Sequence, residues 1–164
     1  MDKRDIRVAA LGDVARLTNT FDTEYQRTHA DDVVDNTKLF LVAWVNEVPA
    51  GHVLVHWPGP RQPEPLAAFP DCPEIHRLSV LGPFQRRGIA TALIARCELE
   101  AQRKGYARIG LGTDPELSVG DNLYYRLGYQ DSGIGEFDDC YQRVNDAGDV
   151  ITIAEPTTFL IKQL

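Results

Sequence analysis

The stretch from Glu74 to Lys104 constrains the fold more than any other part of this 164-residue chain. Its pattern predicts a strand over 74–81, a glycine-containing loop over 82–88 and a helix that begins at Ile89. Apolar residues in the helix recur at helical spacing and cover an arc of roughly 140°, the width of a core-facing stripe. They are Ile89, Ala90, Leu93, Ile94, Cys97 and Ala101. Gly105 follows and is expected to end the helix.

A loop that joins a strand to a helix N-terminus can hold an anion. The first-turn N–H groups have no partner within the helix, and the helix dipole adds partial positive charge there. Gly88 would let an oxygen approach the backbone, and Arg86 and Arg87 would add charge-assisted donors. A tight turn with two solvated arginines fits the same pattern. The loop is neither a Walker A motif nor a Gly-x-Gly-x-x-Gly dinucleotide fingerprint.

Length and composition indicate one globular domain over residues 1–164. Apolar content is 43% and charged content 25%, ordinary values for such a domain. There is no 18-residue apolar run and no apolar segment near the start, so we expect no membrane span and a cytoplasmic location. The net charge of −7 argues against broad nucleic-acid binding, which normally leaves a basic footprint.

The three cysteines, Cys72, Cys97 and Cys140, are odd in number and lack metal-ligand spacing. We expect them to be reduced, with Cys97 in the core. No metal site is predicted. None of the cysteines lies in the loop over 82–88 or in the segment 123–129, so a cysteine nucleophile is not expected.

The remaining segments predict strands and helices in alternation, which is typical of an α/β fold with a mixed sheet. Strands are predicted over 6–10, 39–45, 51–57, 107–112, 150–154 and 159–164, and helices after Gly12, within 23–36 and over 119–127. Asp13 is expected to cap the first helix, and 46–51 to form a turn. Residues 58–73 hold six of the ten prolines, so no regular element is expected there. That segment could wall a binding site or be a plain surface loop.

Three patterns together resemble the GNAT N-acetyltransferase superfamily. Residues 85–90, Gln-Arg-Arg-Gly-Ile-Ala, are similar to its pyrophosphate loop, Gln/Arg-x-x-Gly-x-Gly/Ala. Residues 74–80 resemble its fourth strand, which splays from the fifth to admit acetyl-CoA. Residues 123–129, Leu-Tyr-Tyr-Arg-Leu-Gly-Tyr, resemble its Leu-Tyr-x-x-x-Gly-Phe motif. These patterns cover 74–130, and the order of elements extends the match over the chain.

The resemblance implies an α/β (α+β) fold of the GNAT type, a mixed central sheet of about six to seven strands with splayed fourth and fifth strands and flanking helices. It implies an acetyl-CoA-dependent N-acetyltransferase that moves an acetyl group to a primary amine of a small molecule or peptide. Attack would be direct, in a ternary complex. Family members often dimerise, so a homodimer is one expectation for the assembly.

The resemblance also assigns the cofactor contacts. The expected acetyl-CoA-binding residues are Leu78, Ser79, Val80, Gln85, Arg86, Arg87, Gly88, Ile89, Ala90, Thr91, Asn122 and Tyr124. Backbone groups of Leu78 and Val80 would pair with the pantetheine arm, an N–H near Val80 would serve the oxyanion, and the loop amides from Gln85 to Ala90 would hold the pyrophosphate. The family often has Asn and Ala where this chain has Leu117 and Gly120, so Asn122 is proposed to replace the usual Asn contact.

Tyr124 matches the family tyrosine that donates to the leaving thiolate. With a phenol pKa near ~10 it is protonated at neutral pH. Glu74 precedes Gly88 by 14 positions (88 − 74), the offset of the general-base glutamate in histone-type members. Strand alternation would place one set of side chains on a shared face: Glu74, His76, Leu78 and Val80. His76 is the rival base, and a free amine could also arrive deprotonated.

Two other functions stay open on the sequence alone. The chain could be a catalytically silent acyl-CoA-binding module, or a transferase for another acyl group. The acceptor pocket is expected to be walled by 21–36, His52, His56 and the proline-rich segment. Four carboxylates could attract a cationic acceptor or simply form a solvated helix face: Asp22, Glu24, Asp31 and Asp32.

Overall fold

The computed structural model describes residues 2–21 and 32–164. Its strands are β1 (Arg4–Val8), β2 (Lys38–Val45), β3 (Val48–His56), β4 (Glu74–Val80), β5 (Arg108–Thr113), β6 (Gln130–Val144) and β7 (Val150–Gln163). Its helices include α1 (Val14–Thr20), α2 (Pro63–Ala68), α3 (Ile89–Arg103) and α4 (Leu123–Arg126), with 3₁₀ turns at Leu11–Asp13 and Gly82–Phe84. No helix in these described ranges is both long and apolar enough to cross a membrane.

The strands form one seven-stranded sheet in the order β1-β2-β3-β4-β5-β7-β6. Every neighbouring pair is antiparallel except β4 and β5, which run parallel. A helix-containing crossover through α3 connects that parallel pair, as parallel pairing requires. The predicted mixed sheet with flanking helices is confirmed.

Apolar side chains cover both faces of the sheet. On one face α3 packs its predicted stripe against the strands, and the buried members include Ile89, Leu93, Ile94, Cys97 and Ala101. On the other face a second cluster joins α1 to β2 and β3: Ala9, Leu17, Phe21, Phe40, Val42, Trp44 and Leu54. We call the face of the sheet that α3 covers the α3 face, and the opposite face, which α1 covers, the α1 face. The predicted core position of Cys97 is confirmed.

The turn between β2 and β3 is shorter than the predicted 46–51. Asn46 and Glu47 have φ of 51° and 63°, so they form a two-residue turn of the type in which both central residues are left-handed. Strand β3 therefore begins at Val48. The pairing shifts register between Ala43 and Trp44, which takes up the extra residue.

Prolines interrupt the structure less than predicted. The segment 58–73 contains helix α2, with Pro63 in its first turn, where the missing N–H has no partner to lose. Strand β7 runs on through Pro156 rather than breaking there. Strand β5 ends at Thr113 opposite Thr158, so at Pro156 strand β7 has only β6 as a neighbour and one side needs no donor.

Two smaller predictions at helix ends were wrong. The Asp13 carboxylate does not cap α1 but accepts hydrogen bonds from the Ala10 N–H at 3.0 Å and from Arg7 at 3.2 Å. Helix α4 spans Leu123–Arg126 rather than 119–127. Most of the helix predicted within 23–36 lies outside the described residues.

Candidate active site

Strands β4 and β5 separate after two residue pairs. They pair at Glu74 with Gly110 and at Ile75 with Leu111, although β4 continues to Val80. From residue 76 onward the side of β4 that faces β5 has no strand partner within the described chain. An unpaired strand edge of this kind can pair with an extended ligand segment.

Strand β4 contains a bulge at Arg77. The φ of Arg77 is 52°, in the left-handed region that non-glycine residues rarely enter. The β3–β4 pairing passes from Leu54 with His76 to His52 with Ser79, so two residues of β4 oppose one residue of β3.

The bulge reverses the alternation of side chains along β4. Before it, Ile75 packs on the α3 face, and after it Leu78 and Val80 pack there. Glu74 and His76 therefore lie on the α1 face. The prediction that Glu74, His76, Leu78 and Val80 share one face was wrong, because an inserted residue shifts a period-2 pattern by one.

The loop after β4 leads into an uncapped helix N-terminus. Gly88 precedes α3 with φ of 77°, and a Cβ built there would meet nothing within 4 Å. No side chain caps the helix, and its first bond runs from the Ala92 N–H to the Gly88 carbonyl at 3.0 Å. The N–H groups of the first turn are therefore free of intrahelical partners, and the open space beside Gly88 leaves room for a phosphate group.

A cavity of about 370 Å³ opens at this helix end. Its lining consists of Val80, Phe84, Gln85, Arg86, Gly88, Ile89, Ala90, Thr91, Leu123 and Arg126. Seven of the twelve predicted cofactor contacts are in that set: Val80, Gln85, Arg86, Gly88, Ile89, Ala90 and Thr91. The structure thus brings together the loop, the helix end and the end of β4, as the sequence predicted.

Two arginines in the cavity lining are available to an anion. Arg86 and Arg126 have no carboxylate partner among the residues that the structure describes. Arg87 does not line the cavity; its guanidinium pairs with Asp2 at 3.4 Å. Sequence analysis missed Arg126, although it stands two positions after Tyr124 in the motif that carries the resemblance.

Gln85 fastens the loop to β4. Its side-chain Nε2 donates to the Val80 carbonyl at 2.9 Å, and its backbone N–H donates to the Gly82 carbonyl at 3.2 Å. We had expected the Gln85 N–H to bind the pyrophosphate. Because that N–H already donates to Gly82, Gln85 instead stabilises the shape of the loop.

Asn122 holds α4 against the end of β5. It is 1% exposed, its Oδ1 accepts from the Tyr124 N–H at 2.9 Å, and its Nδ2 donates to Thr113 Oγ1 at 2.8 Å. Both ends of the amide are engaged within the protein, which does not favour the predicted cofactor contact. Asn122 instead positions Tyr124.

Tyr124 packs on the α3 face with its ring edge-on to Tyr129, the centroids 6.2 Å apart. Burial raises the pKa of its hydroxyl above the ordinary value of 10. The hydroxyl is therefore protonated at neutral pH and can donate a hydrogen bond or a proton.

Glu74 is an anchored carboxylate rather than a free one. It is 4% exposed and accepts from Arg61 three times: from the backbone N–H at 2.9 Å, from Nε at 3.0 Å and from Nη2 at 3.4 Å. These bonds fasten the segment 58–73 to β4. Because donors from Arg61 engage both of its oxygens, the carboxylate is not free to contact an acceptor amine, which does not favour the predicted general-base role.

His76 lies beside Glu74 on the α1 face. Both of its ring nitrogens are buried without a hydrogen-bond partner among the described residues. Burial, and secondarily the charge of Arg61, lowers the pKa of His76 well below its ordinary 6.5, so the imidazole is neutral at pH 7. The predicted acceptor-pocket residue His52 is buried edge-on to Phe21, with the ring centroids 4.6 Å apart.

A second cavity, of about 660 Å³, lies beside the end of β5. Five carboxylate side chains line it: Asp114, Glu116, Glu136, Asp139 and Glu155. Arg61 connects this cavity to Glu74, because its Nη2 also lies 3.8 Å from Asp139. Sequence analysis missed this cavity, since its carboxylates come from segments far apart in the chain.

Of the four carboxylates that could attract a cationic acceptor or form a solvated helix face, the structure describes one. Asp22, Glu24 and Asp31 lie outside the described residues. Asp32 is 3% exposed and pairs with Lys38 and Arg77, so it is not part of a solvated helix face.

The two buried cysteines do not supply a thiolate. Cys72 lies near Gly110 beneath the β4–β5 pairing, and burial raises its pKa to about 12. Burial also raises the pKa of Cys97, which is in the core. Both thiols are protonated at neutral pH.

Comparison with known proteins identifies the family. The family model described as Acetyltransferase (GNAT) family matches residues 10–129. No curated protein sequence matches the chain significantly.

Solved structures share the fold. PaiA N-acetyltransferase from Thermoplasma acidophilum, in complex with coenzyme A, is 15% identical over 99% of each chain, with a TM-score of 0.64. The ribosomal-protein-S18-alanine N-acetyltransferase of Escherichia coli is 15% identical over 98% of this chain and 94% of that chain, with a TM-score of 0.67. The protein yncA from Salmonella typhimurium, with its cofactor acetyl-CoA, is 20% identical over 98% and 94%, with a TM-score of 0.63. At these identities the likeness shows the fold, and the predicted GNAT fold is confirmed. Because the family model covers more than half of the sequence, the chain belongs to the GNAT acetyltransferase family.

Proposed function

We propose that the protein transfers an acetyl group from acetyl-CoA to a primary amine by direct attack in a ternary complex. The observation that carries this proposal is the uncapped N-terminus of α3. It lies beside the free edge of β4, next to an open glycine and two arginines that have no carboxylate partner in the described part of the chain. Free N–H groups, space and positive charge at one point suit a diphosphate.

The residues present fit coenzyme A. The first-turn N–H groups of α3, with Arg86 and Arg126, would hold its diphosphate, and the backbone of Leu78 and Val80 would pair with its pantetheine arm. Acetyl-CoA supplies the acetyl group as a thioester. Ser79 faces away from this side, because it pairs with His52 on the α1 face.

Tyr124 is the proposed acid. Its buried hydroxyl holds a proton at neutral pH, and Asn122 fixes the backbone that carries it. Replacing it by phenylalanine removes that hydroxyl and leaves the ring packing against Tyr129.

We infer that no side chain of β4 deprotonates the acceptor directly. Glu74 is tied to Arg61, and His76 has a lowered pKa that makes it a weak base. The amine would then lose its proton to solvent. This predicts that kcat/KM rises with pH until the amine itself is deprotonated; a plateau near a pKa that moves in Glu74→Gln or His76→Gln would show a protein base instead.

The carboxylate-lined cavity supports a cationic amine as the acceptor. It lies at the end of β5 where the strands separate, and Arg61 joins it to Glu74. A thiol-release screen over polyamines, aminoglycosides, amino acids and peptide N-termini tests this. We expect the highest kcat/KM for amines with further positive charges, and a preference for neutral amines would contradict it.

The same screen, repeated with other acyl-CoA donors, separates the alternatives. Tight coenzyme A binding without turnover on any amine would indicate a non-catalytic binding module. Higher turnover with propionyl-CoA or succinyl-CoA than with acetyl-CoA would indicate a transferase for another acyl group. Homodimerisation and a cytoplasmic location stay predictions.

A further inference from the structure

The conformation of Arg77 is unusual for its place in the chain. Three other non-glycine residues have positive φ, and each lies in a turn or loop: Asn46 and Glu47 between β2 and β3, and Arg86 before α3. Among the non-glycine residues of the described ranges, Arg77 is the one with a positive φ inside a strand. Such a conformation costs free energy and persists only where surrounding contacts hold it.

Asp32 supplies a contact of that kind. Its carboxylate is 3% exposed, and one oxygen accepts from Arg77 Nη1 at 3.1 Å while the other accepts from Lys38 Nζ at 2.7 Å. Lys38 belongs to β2 and Arg77 to β4, so Asp32 bridges two strands that β3 separates. A buried carboxylate with both oxygens paired keeps its partners in place, since losing one leaves a buried charge uncompensated.

The bulge determines what the free half of β4 presents. The gap-facing segment 76–80 begins at the bulge, and the reversed alternation puts Leu78 and Val80 on the α3 face. If β4 straightened, these side chains would leave that face and the backbone N–H and C=O groups beyond residue 77 would shift by one position. The contact between Asp32 and Arg77 therefore affects the unpaired edge of β4, along which the proposed function places the pantetheine arm.

We propose that Asp32 is a positioning residue for the acetyl transfer. Through Arg77 it holds the bulge that aims the free edge of β4 at the pantetheine arm, without touching acetyl-CoA itself. The proposal rests on the proposed function, because that function places the arm against β4. A carboxylate with only a structural role would affect unfolding and leave ligand binding by the folded protein unchanged.

Asp32→Asn tests the proposal, because it removes the charge and keeps the shape. We expect coenzyme A affinity and kcat/KM for acetyl-CoA each to fall about 10- to 100-fold, the effect of losing one charge-assisted hydrogen bond. Affinity for adenosine 3′,5′-bisphosphate, which lacks the pantetheine arm, should stay unchanged. Titration calorimetry measures both affinities on the same preparation.

Two further variants isolate the role of the bulge. Arg77→Gly keeps a positive φ without strain, so the bulge should survive without its tether, and adding Asp32→Asn should then cause little further loss. Asp35→Asn is the matched control. Asp35 also pairs with Lys38, at 3.5 Å, but is more exposed and has no described contact with Arg77, so coenzyme A affinity should not change.

Unchanged coenzyme A affinity and turnover in folded Asp32→Asn would overturn the proposal, as would an equal loss in the Arg77→Gly background. If Asp32→Asn does not fold, Arg77→Ala and Arg77→Gly form the test. Both variants lose the contact with Asp32, but only Arg77→Ala keeps the backbone strain, so it must bind coenzyme A more weakly than Arg77→Gly does. Equal affinities of the two variants would overturn the proposal. A wild-type protein that binds no coenzyme A refutes the proposed function and this inference together, whereas normal wild-type binding with normal Asp32→Asn refutes the inference alone.

Discussion

Replacing Gly88 by alanine tests the diphosphate site, and Gly105 offers a matched control. The two glycines flank the same helix, α3, with φ of 77° and 86°, and a Cβ at either one would meet nothing within 4 Å. Alanine therefore imposes the same kind of backbone strain at both positions. Only the Cβ at Gly88 would enter the cavity where the diphosphate is proposed to sit.

The magnitudes follow from this geometry. A left-handed conformation costs an L-residue about 1–2 kcal/mol, so each variant should lose about that much stability. For a chain of this length that corresponds to a fall in Tm of about 2–8 °C. Displacing one charge-assisted N–H contact to phosphate costs a further 1.5–3 kcal/mol of binding, roughly a 10- to 100-fold weaker Kd for coenzyme A, in Gly88→Ala alone.

Titration calorimetry with coenzyme A and thermal unfolding of the same samples provide the two readouts. Similar losses in Tm with a weaker Kd only in Gly88→Ala would support the site. Equal Kd values for wild type, Gly88→Ala and Gly105→Ala would refute the reasoning, since the open space at Gly88 would then not be where the ligand docks.

Other substitutions and conditions separate the remaining roles. Tyr124→Phe should lower turnover by about 10- to 10³-fold in thiol-release assays with coenzyme A affinity nearly intact, and unchanged turnover would refute the acid role. Glu74→Gln should lower Tm by about 4–8 °C, the effect of about 2 kcal/mol, yet keep most of the turnover; a loss above about 10²-fold would restore Glu74 as the base. Arg126→Gln should weaken coenzyme A binding and reduce its salt dependence, and an unchanged Kd would place the diphosphate elsewhere. Folding lowers the pKa of His76, so below about pH 6.5 the unfolded chain binds a proton that the native state does not, and stability should fall as the pH drops. His76→Gln should flatten that part of a curve of Tm against pH. An unaltered curve would contradict the lowered pKa.

The sequence predicted those parts of the site that local chemistry determines. The helical stripe of α3, Gly88 at its start and Gly105 at its end follow from periodicity and from the conformational freedom of glycine. The loop residues that line the cavity could also be predicted, because they are contiguous in the chain.

The bulge in β4 had no sequence signal. Arginine rarely takes a positive φ, and the contact that holds Arg77 comes from Asp32, 45 residues earlier. A regular period-2 pattern, without the bulge, therefore placed Leu78 and Val80 on the same face as Glu74 and His76.

Long-range pairing likewise determined the role of Glu74. Its spacing from Gly88 suggested a general base, but Arg61 occupies the carboxylate, and no local pattern reveals such a partner. The carboxylate-lined cavity arises in the same way, because it depends on β5, β6 and β7 meeting in the sheet.

A crystal structure of the protein soaked with coenzyme A tests the central proposal most directly. We expect the diphosphate against the first-turn N–H groups of α3, near Arg86 and Arg126, and the pantetheine arm along the free edge of β4 beyond Ile75. Density for the diphosphate at any other place, or a loop 82–88 closed over the helix end by its own side chains, would contradict the account.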